Sequence, residues 1–283
     1  MSARAVAVRA GVRRGRIEFT QTMTNVGELI GWLWLPLVAL VVVHAFGDDP
    51  APGADFPLGA RAVPGILGVN VVFTGFLALV MALVADREDG TLLRARATPN
   101  GVLAYVVGKV LGRAALTGAT LGVVLVPAVL LFDGLEPGRV RTWVALAWVV
   151  ALGLLATLPL GAVLGAVFGG TQSLGLVTLL VMALVAVSGV FYPITALPAW
   201  SQWVGQAFPV YWLGLGLRSA LLPDAQAAAE VGGSWRHGET VVALGAWAVV
   251  GFALATVVLR RMARRESGSS AQARRERADR RPA

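Results

Sequence analysis

Apolar stretches alternate with short polar segments along almost the whole chain. A helix that crosses a hydrocarbon core of roughly 30 Å needs about 20 apolar residues, and the pattern predicts six membrane-spanning helices. We place them at Leu29–Phe46, Val63–Val84, Ala114–Phe132, Trp143–Phe168, Leu174–Phe191 and Val241–Leu259. The expected fold class is an all-α membrane protein with one six-span transmembrane domain at residues 29–259.

The segment 1–28 that precedes the first span has the spacing of an amphipathic helix. Its apolar stripe consists of Val8, Val12, Phe19, Met23 and Val26. We expect this helix to lie on the cytoplasmic surface of the membrane. Two roles stay open for it, a plain lipid anchor and a contact element for a cytoplasmic partner.

Composition and charge support a membrane location. The chain has 57% hydrophobic and 14% charged residues, whereas soluble domains have about 25% charged residues. Of its 24 Lys and Arg residues, 19 lie in the terminal segments, the loop after the second span and the start of the third apolar run. This asymmetry predicts a multi-pass protein with both termini in the cytoplasm. Because these basic residues flank the apolar segments, we attribute the net charge of +8 to contact with membrane lipid rather than with nucleic acid.

Three further expectations concern the charged ends of the spans. The arginine-rich segment 260–283 has no apolar face and is predicted to be a disordered cytoplasmic tail. Lys109 and Arg113 begin the third apolar run, and we expect both side chains to extend towards the membrane surface. A cleaved signal peptide ending near Ala45 is disfavoured, because its charged region would be about 28 residues long.

The loop between the second and third spans, residues 85–100, has an ordered charge pattern. Asp86, Glu88 and Asp89 come first, Arg94 follows, and Pro99 ends the segment. In a short helix this order complements the helix dipole. Because a purely connecting loop does not need such an order, we expect a docking element for a soluble partner.

This loop resembles the corresponding loop of ABC type-2 transport permeases, especially bacterial drug-exporter permeases of the daunorubicin-resistance kind. The matching positions are Arg87, Glu88, Gly90, Thr91, Leu92, Arg94, Thr98 and Pro99, while Asp86, Ala95 and Arg96 depart from the family pattern. The segment Phe191–Pro223 is similar to the part of the family that lies between the fifth and sixth spans. The resemblance covers essentially the whole chain.

The resemblance implies a permease half in the plasma membrane of a bacterium. Residues 86–99, including Asp86, would dock into a separate nucleotide-binding ATPase subunit, which binds the ATP and Mg. A second permease half, identical or related, would complete the path for a hydrophobic or amphipathic compound, a drug or lipid-like molecule. The turn at residues 169–173 would be a second contact with the ATPase, although it is equally well explained as a simple glycine-rich turn.

The sequence predicts no catalytic, cofactor-binding or metal site in this chain. Lys109 is the single lysine, and it lacks both the distal glycine and the following Ser or Thr of a P-loop. With no cysteine and only two histidines, the chain also lacks the ligands of the usual zinc motifs. Two alternative functions stay open: a membrane scaffold or assembly protein without transport, and an ion-coupled secondary carrier, which would normally carry buried carboxylates.

Polar and aromatic side chains mark candidate positions of a transport path. The segment before the last span is broken by Pro193, Pro198 and Pro209, which predicts short re-entrant or interfacial helices. The candidate path residues are Asn70, Thr74, Tyr192, Trp200 and Tyr211. The competing interpretations are helix packing for the polar residues and an interfacial belt for the aromatic ones.

Overall fold

The computed structural model describes residues 2–46, 56–168 and 171–279. These residues form helices and turns without a β-strand. The α-helices are α1 (Ala3–Thr24), α2 (Val26–Phe46), α3 (Leu58–Val71), α4 (Ala78–Glu88), α5 (Thr91–Arg96), α6 (Gly101–Leu131), α7 (Val140–Val167), α8 (Thr171–Val187), α9 (Ala199–Ala207), α10 (Pro209–Leu221) and α11 (His237–Asp279). A π-helical segment at Val72–Leu77 joins α3 to α4, so Leu58–Glu88 is one continuous helix, called here the central helix.

Five of the described helices are long and apolar enough to cross a membrane. They are Val26–Phe46, Leu58–Glu88, Gly101–Leu131, Val140–Val167 and His237–Val258. The predicted fifth span at Leu174–Phe191 is shorter than expected, because α8 has 17 residues and ends at Val187, just before Gly189 with its φ of 61°. A 17-residue helix is about 26 Å long, slightly less than the hydrocarbon thickness. The sequence-based count of six full-length spans is therefore not reproduced.

Helix α10 occupies the middle of the bundle, and all of its 13 residues are buried. Pro209 is its first residue, a position where the missing N–H is not needed. The helix packs against α3, α7 and α11, and Leu213 fills the space that a side chain at Gly153 would take. The prolines that break this segment thus produce a short helix inside the protein, whereas α9 leaves Trp200 and Trp203 exposed.

Helix α1 packs along the first half of α6 through its small residues. Gly11 and Gly15 lie against Ala104, Val107 and Gly108 of α6, too closely for a Cβ atom. The apolar stripe predicted for α1 does not make this contact, because Val8 and Val12 remain 42% and 48% exposed. The face that binds α6 is therefore the small-residue face next to the stripe, a packing mode that lets helix backbones approach closely.

Gly15→Ala is expected to destabilise the protein by about 1–3 kcal/mol, the usual cost of overpacking. A Cβ atom at this position would lie 2.7 Å from the carbonyl oxygen of Gly108. Gly245→Ala in α11 is the control, because nothing lies within 4 Å of a Cβ atom there. Thermal unfolding in detergent measures both variants. An equal change in melting temperature for the two variants would contradict the close packing of α1 on α6.

The backbone of α11 continues as a helix to Asp279, although the sequence predicts disorder from residue 260. Arg and Ala dominate this segment, and both have high intrinsic helix propensity. Extending an existing membrane helix also avoids the cost of nucleating a new one. The lack of an apolar face therefore does not prevent helical backbone in this segment.

Candidate functional site: docking loop and buried polar cluster

The predicted docking loop, residues 85–100, which keeps the name docking loop below, begins inside the last turn of α4. Asp86 and Glu88 belong to α4, Gly90 ends the helix with a φ of 67°, and α5 follows at Thr91–Arg96. The prediction that the acidic residues complement a short-helix dipole is therefore wrong for Asp86 and Glu88. They lie at a helix C-terminus, where negative charge is unfavourable.

Contacts within the docking loop hold it in a compact shape. Arg94 donates hydrogen bonds to the Thr91 hydroxyl (3.0 Å) and the Asp89 carbonyl (3.3 Å). The Thr98 hydroxyl donates to the Ala95 carbonyl at 2.9 Å. A Cβ atom on Gly101 would lie only 2.0 Å from both the Thr98 hydroxyl and that carbonyl. The turn thus requires glycine at position 101 because the backbone approaches so closely.

The tip of the docking loop faces outward. Glu88, Asp89, Arg94, Thr98 and Pro99 are exposed. Among the described residues, none forms a hydrogen bond or an ion pair with the Glu88 carboxylate. An exposed carboxylate at an unfavourable helix end has no local stabilising role, so it is available to a partner.

The base of the docking loop is tied to the rest of the protein. Arg87 donates a hydrogen bond to the Ala166 carbonyl near the end of α7 at 2.7 Å. The predicted second contact with the ATPase, residues 169–173, begins directly after this point. Its Gly169 and Gly170 lie outside the described residues, and α8 starts at Thr171.

Asp86 joins an ion network with α1 and α6. Its Oδ2 atom lies 2.8 Å from Lys109 Nζ and accepts a hydrogen bond from the Tyr105 hydroxyl at 2.7 Å. Lys109 Nζ also lies 3.2 Å from Glu18 Oε1, and Arg14 Nε reaches the same oxygen at 3.0 Å. Lys109 is thus buried and paired, so the expectation that it extends to the membrane surface is wrong. The partners could not be inferred from sequence, since two other helices, α1 and α4, supply them.

A buried polar cluster lies further along the central helix. Asn70 and Thr74 meet Thr117 and Thr120 of α6, and all four side chains are buried. Thr74 Oγ1 lies 3.0 Å from Thr117 Oγ1, and Thr120 donates to Asn70 Oδ1 at 3.0 Å. Asn70 Nδ2 has no hydrogen-bond partner among the described residues. The cluster therefore has an unused donor beside the π-helical segment, a type of irregularity that is frequent at functional sites.

A cavity of about 420 Å³ adjoins this cluster between α2, the central helix and α8. Its lining is mostly apolar, with Trp32, Trp34 and Phe73, and it includes Asn70 and Glu28. Glu28 accepts a hydrogen bond from the Thr22 hydroxyl at 2.9 Å. An apolar cavity with a few polar groups is typical of sites for small molecules.

The five candidate path residues do not form one site. Asn70 and Thr74 share the polar cluster, whereas Tyr211 is buried in α10. Trp200 is 68% exposed on α9, and the Tyr192 hydroxyl donates to the Ala186 carbonyl near the end of α8. Asn70 and Thr74 lie four residues apart on the central helix, and their contacts with Thr117 and Thr120 depend on tertiary packing.

A buried ion pair, which the sequence analysis missed, fixes the segment around α10. Arg218 Nε lies 2.6 Å from Glu230 Oε1, and both side chains are at most 4% exposed. Arg218 also donates to the carbonyls of Gly189 (2.8 Å) and Val190 (3.3 Å). One guanidinium thus connects α10 with the turn after α8 and with the short helical turns that precede α11.

Two further ion pairs, one exposed and one partly buried, lie near this segment. Arg141 donates two hydrogen bonds to the Asp224 carboxylate, at 3.2 and 2.9 Å, and they lower the pKa of that carboxyl. Arg236 donates to Glu239, which raises the pKa of its guanidinium, and it also lies over the Trp212 ring at 4.8 Å. An exposed pair such as Arg141–Asp224 contributes little to stability, whereas removing one partner of the buried Arg218–Glu230 pair is costly because it leaves an unpaired buried charge.

Comparison with known proteins agrees with the resemblance of the docking loop. The model of the family described as "ABC-2 family transporter protein" matches residues 58–257, from the first residue of α3 into α11. No curated protein was found to match the chain. Proteins of this family are membrane components of ABC transporters, which implies an association with an ATPase subunit. Because the match covers more than half of the chain, the protein belongs to the ABC-2 transporter family and is a multi-pass membrane protein.

Proposed function

We propose that the protein is one permease half of an ATP-driven exporter that moves a hydrophobic or amphipathic compound, a drug or lipid-like molecule, out of a bacterial cell. In this proposal a separate ATPase subunit binds and hydrolyses ATP with Mg, and this chain binds no nucleotide. Both termini lie in the cytoplasm, on the side that carries 19 of the 24 basic residues.

The observation that carries the proposal is the continuity of the central helix. Its C-terminal end, at Glu88, forms the start of the exposed docking loop, and its middle carries Asn70 and Thr74 of the polar cluster. The same helix is the most buried of the candidate spans. A displacement of the loop by an ATPase subunit would therefore be transmitted directly to the cavity beside α2 and α8.

The exposed apolar surfaces support a second permease half. The candidate spans Val26–Phe46 and His237–Val258 are mostly exposed in the single chain, and α2 lines the cavity next to Asn70. Surfaces this apolar need lipid or protein to cover them. We propose that two halves, identical or related, enclose one path with two-fold symmetry, and that α8 completes six crossings in each half.

Transport in proteoliposomes tests this function. The permease co-reconstituted with its ATPase should move a hydrophobic fluorescent dye when ATP is added, and the purified permease alone should not bind ATP, because it lacks a phosphate-binding loop. Transport that survives ATP removal but stops when ion gradients are collapsed would favour the secondary carrier. A scrambled docking loop that leaves the cellular function intact would favour the scaffold.

A further inference from the structure

Lys109 is a buried cation that connects three helices at the base of the docking loop. Its side chain is 9% exposed, and its Nζ atom pairs with Asp86 of α4 and Glu18 of α1 at 2.8 and 3.2 Å. The Tyr105 hydroxyl, on the same helix as Lys109, donates to the same Asp86 oxygen. One ammonium group thus holds two carboxylates that come from different parts of the chain.

The network contains a second ion pair. Glu18 is also paired with Arg14 at 3.0 Å, so two carboxylates face two cations. Arg14 lies 5.0 Å and Lys109 5.8 Å from the centre of the Tyr105 ring, where a cation is attracted by the aromatic face. Each charged side chain is held in place by its neighbour in the network. A displacement of α1 or α4 relative to α6 would therefore separate charged partners.

Packing alone does not explain why these charges are buried. Helix α1 is already held on α6 by Gly11 and Gly15, and buried ion pairs are often no more stabilising than apolar residues of similar volume. Helix α4, in contrast, packs mainly against α7 and touches α6 with few residues. The ion network, rather than packing, therefore fixes the position of the loop base relative to α1 and α6.

We propose that Lys109 is a positioning residue of the docking loop, which links the loop base to α1 so that α1, the loop and the start of α6 move as one unit. The inference rests on the proposed docking function and extends it to the N-terminal helix. The sequence left two roles open for α1, a lipid anchor and a contact element for a partner. Under this proposal α1 takes part in the coupling between ATPase and permease.

The decisive variant removes both ion pairs of Lys109. Lys109→Met alone would leave the Asp86 carboxylate, which is 15% exposed, without its cation and Glu18 with Arg14 as its remaining ion-pair partner, and it is expected to reduce the amount of protein in the membrane. The triple variant Glu18→Gln, Asp86→Asn, Lys109→Met removes Lys109 together with both of its carboxylate partners. Arg14 keeps its charge, but its side chain is 35% exposed, so the variant should insert normally. Lys109→Arg keeps the charge and serves as the conservative control. A merely structural network predicts that the triple variant recovers both protein level and transport.

Distances in the permease alone give the first readout. The native chain has no cysteine, so spin labels can be attached to Ala10→Cys in α1 and Ala97→Cys in the loop, which are both exposed. The distance distribution between the labels should be narrow in the otherwise native chain and in Lys109→Arg. It should be clearly broader in the triple variant, and an equally narrow distribution there would overturn the proposal.

Transport with the ATPase gives the second readout. The triple variant should co-purify with the ATPase as the native chain does, but its ATP-driven export should fall at least about fivefold, the lower end of usual coupling between sites. Export at the native rate would overturn the proposal. If the native permease binds no ATPase while the distances change as expected, the proposed function fails and the link through Lys109 stands.

Discussion

Arg218→Met is expected to lower the free energy of unfolding by about 3–5 kcal/mol, the usual cost of removing one partner of a buried ion pair. The variant leaves the Glu230 carboxylate, with a side chain that is 2% exposed, without its cation. It also removes the donor that the Gly189 and Val190 carbonyls share. Thermal and denaturant unfolding in detergent measure the change.

Two further variants distinguish the contribution of the buried ion pair to stability from that of other contacts. Arg141→Met is the matched control, because its pair with Asp224 is exposed at the protein surface and should contribute little. The double variant Arg218→Met, Glu230→Gln leaves no unpaired charge and should recover much of the lost stability. If Arg218→Met lowers the free energy of unfolding as little as Arg141→Met does, this would contradict the burial of the Arg218–Glu230 pair.

Glu88→Gln is expected to weaken the coupling between permease and ATPase, with a cost of about 2–5 kcal/mol where the ion pair across the interface is desolvated. The local effect has the opposite sign, because Glu88 is the last residue of α4 and neutralising a carboxylate there relieves an unfavourable dipole interaction. The variant permease should therefore insert normally while ATP-driven export decreases.

Asp89→Asn is the control for this experiment. Asp89 is also exposed, but it lies one residue beyond the end of α4 and is not among the positions that match the family pattern. Membrane level, co-purification of the ATPase and export should be measured together for both variants. Native export by both would refute the assignment of Glu88 to the interface.

The features that could be predicted from sequence are those set by local composition. Apolar stretches of the length of a bilayer indicated the membrane helices, because each such helix satisfies its own backbone hydrogen bonds. The ordered charges and turn residues of the segment 85–100 indicated the docking loop. Even here the local dipole argument was wrong for Asp86 and Glu88, since α4 extends to Glu88 and includes both residues in its C-terminal turn.

Helix lengths near glycine and proline were less predictable. The stretch Leu174–Phe191 is apolar throughout its first part, yet α8 ends at Val187 because the chain turns at Gly189. Hydropathy predicts whether a segment partitions into lipid, but it does not predict the residue at which a helix ends. Similarly, Pro209 marks the start of α10, while the burial of that helix in the middle of the bundle results from its neighbours.

Membrane residence and the family were thus determined by the order of residues along the chain, because they depend on neighbours within one segment, and the prediction of the docking loop rests on the same local order. The pairing of Lys109 with Asp86 and Glu18, of Arg218 with Glu230, and of Asn70 with Thr120 was decided by the tertiary structure. Each of these contacts joins different helices or segments whose mutual position follows from the packing of small and large side chains. Buried polar groups need partners with defined geometry, and that geometry exists only once the helices have assembled.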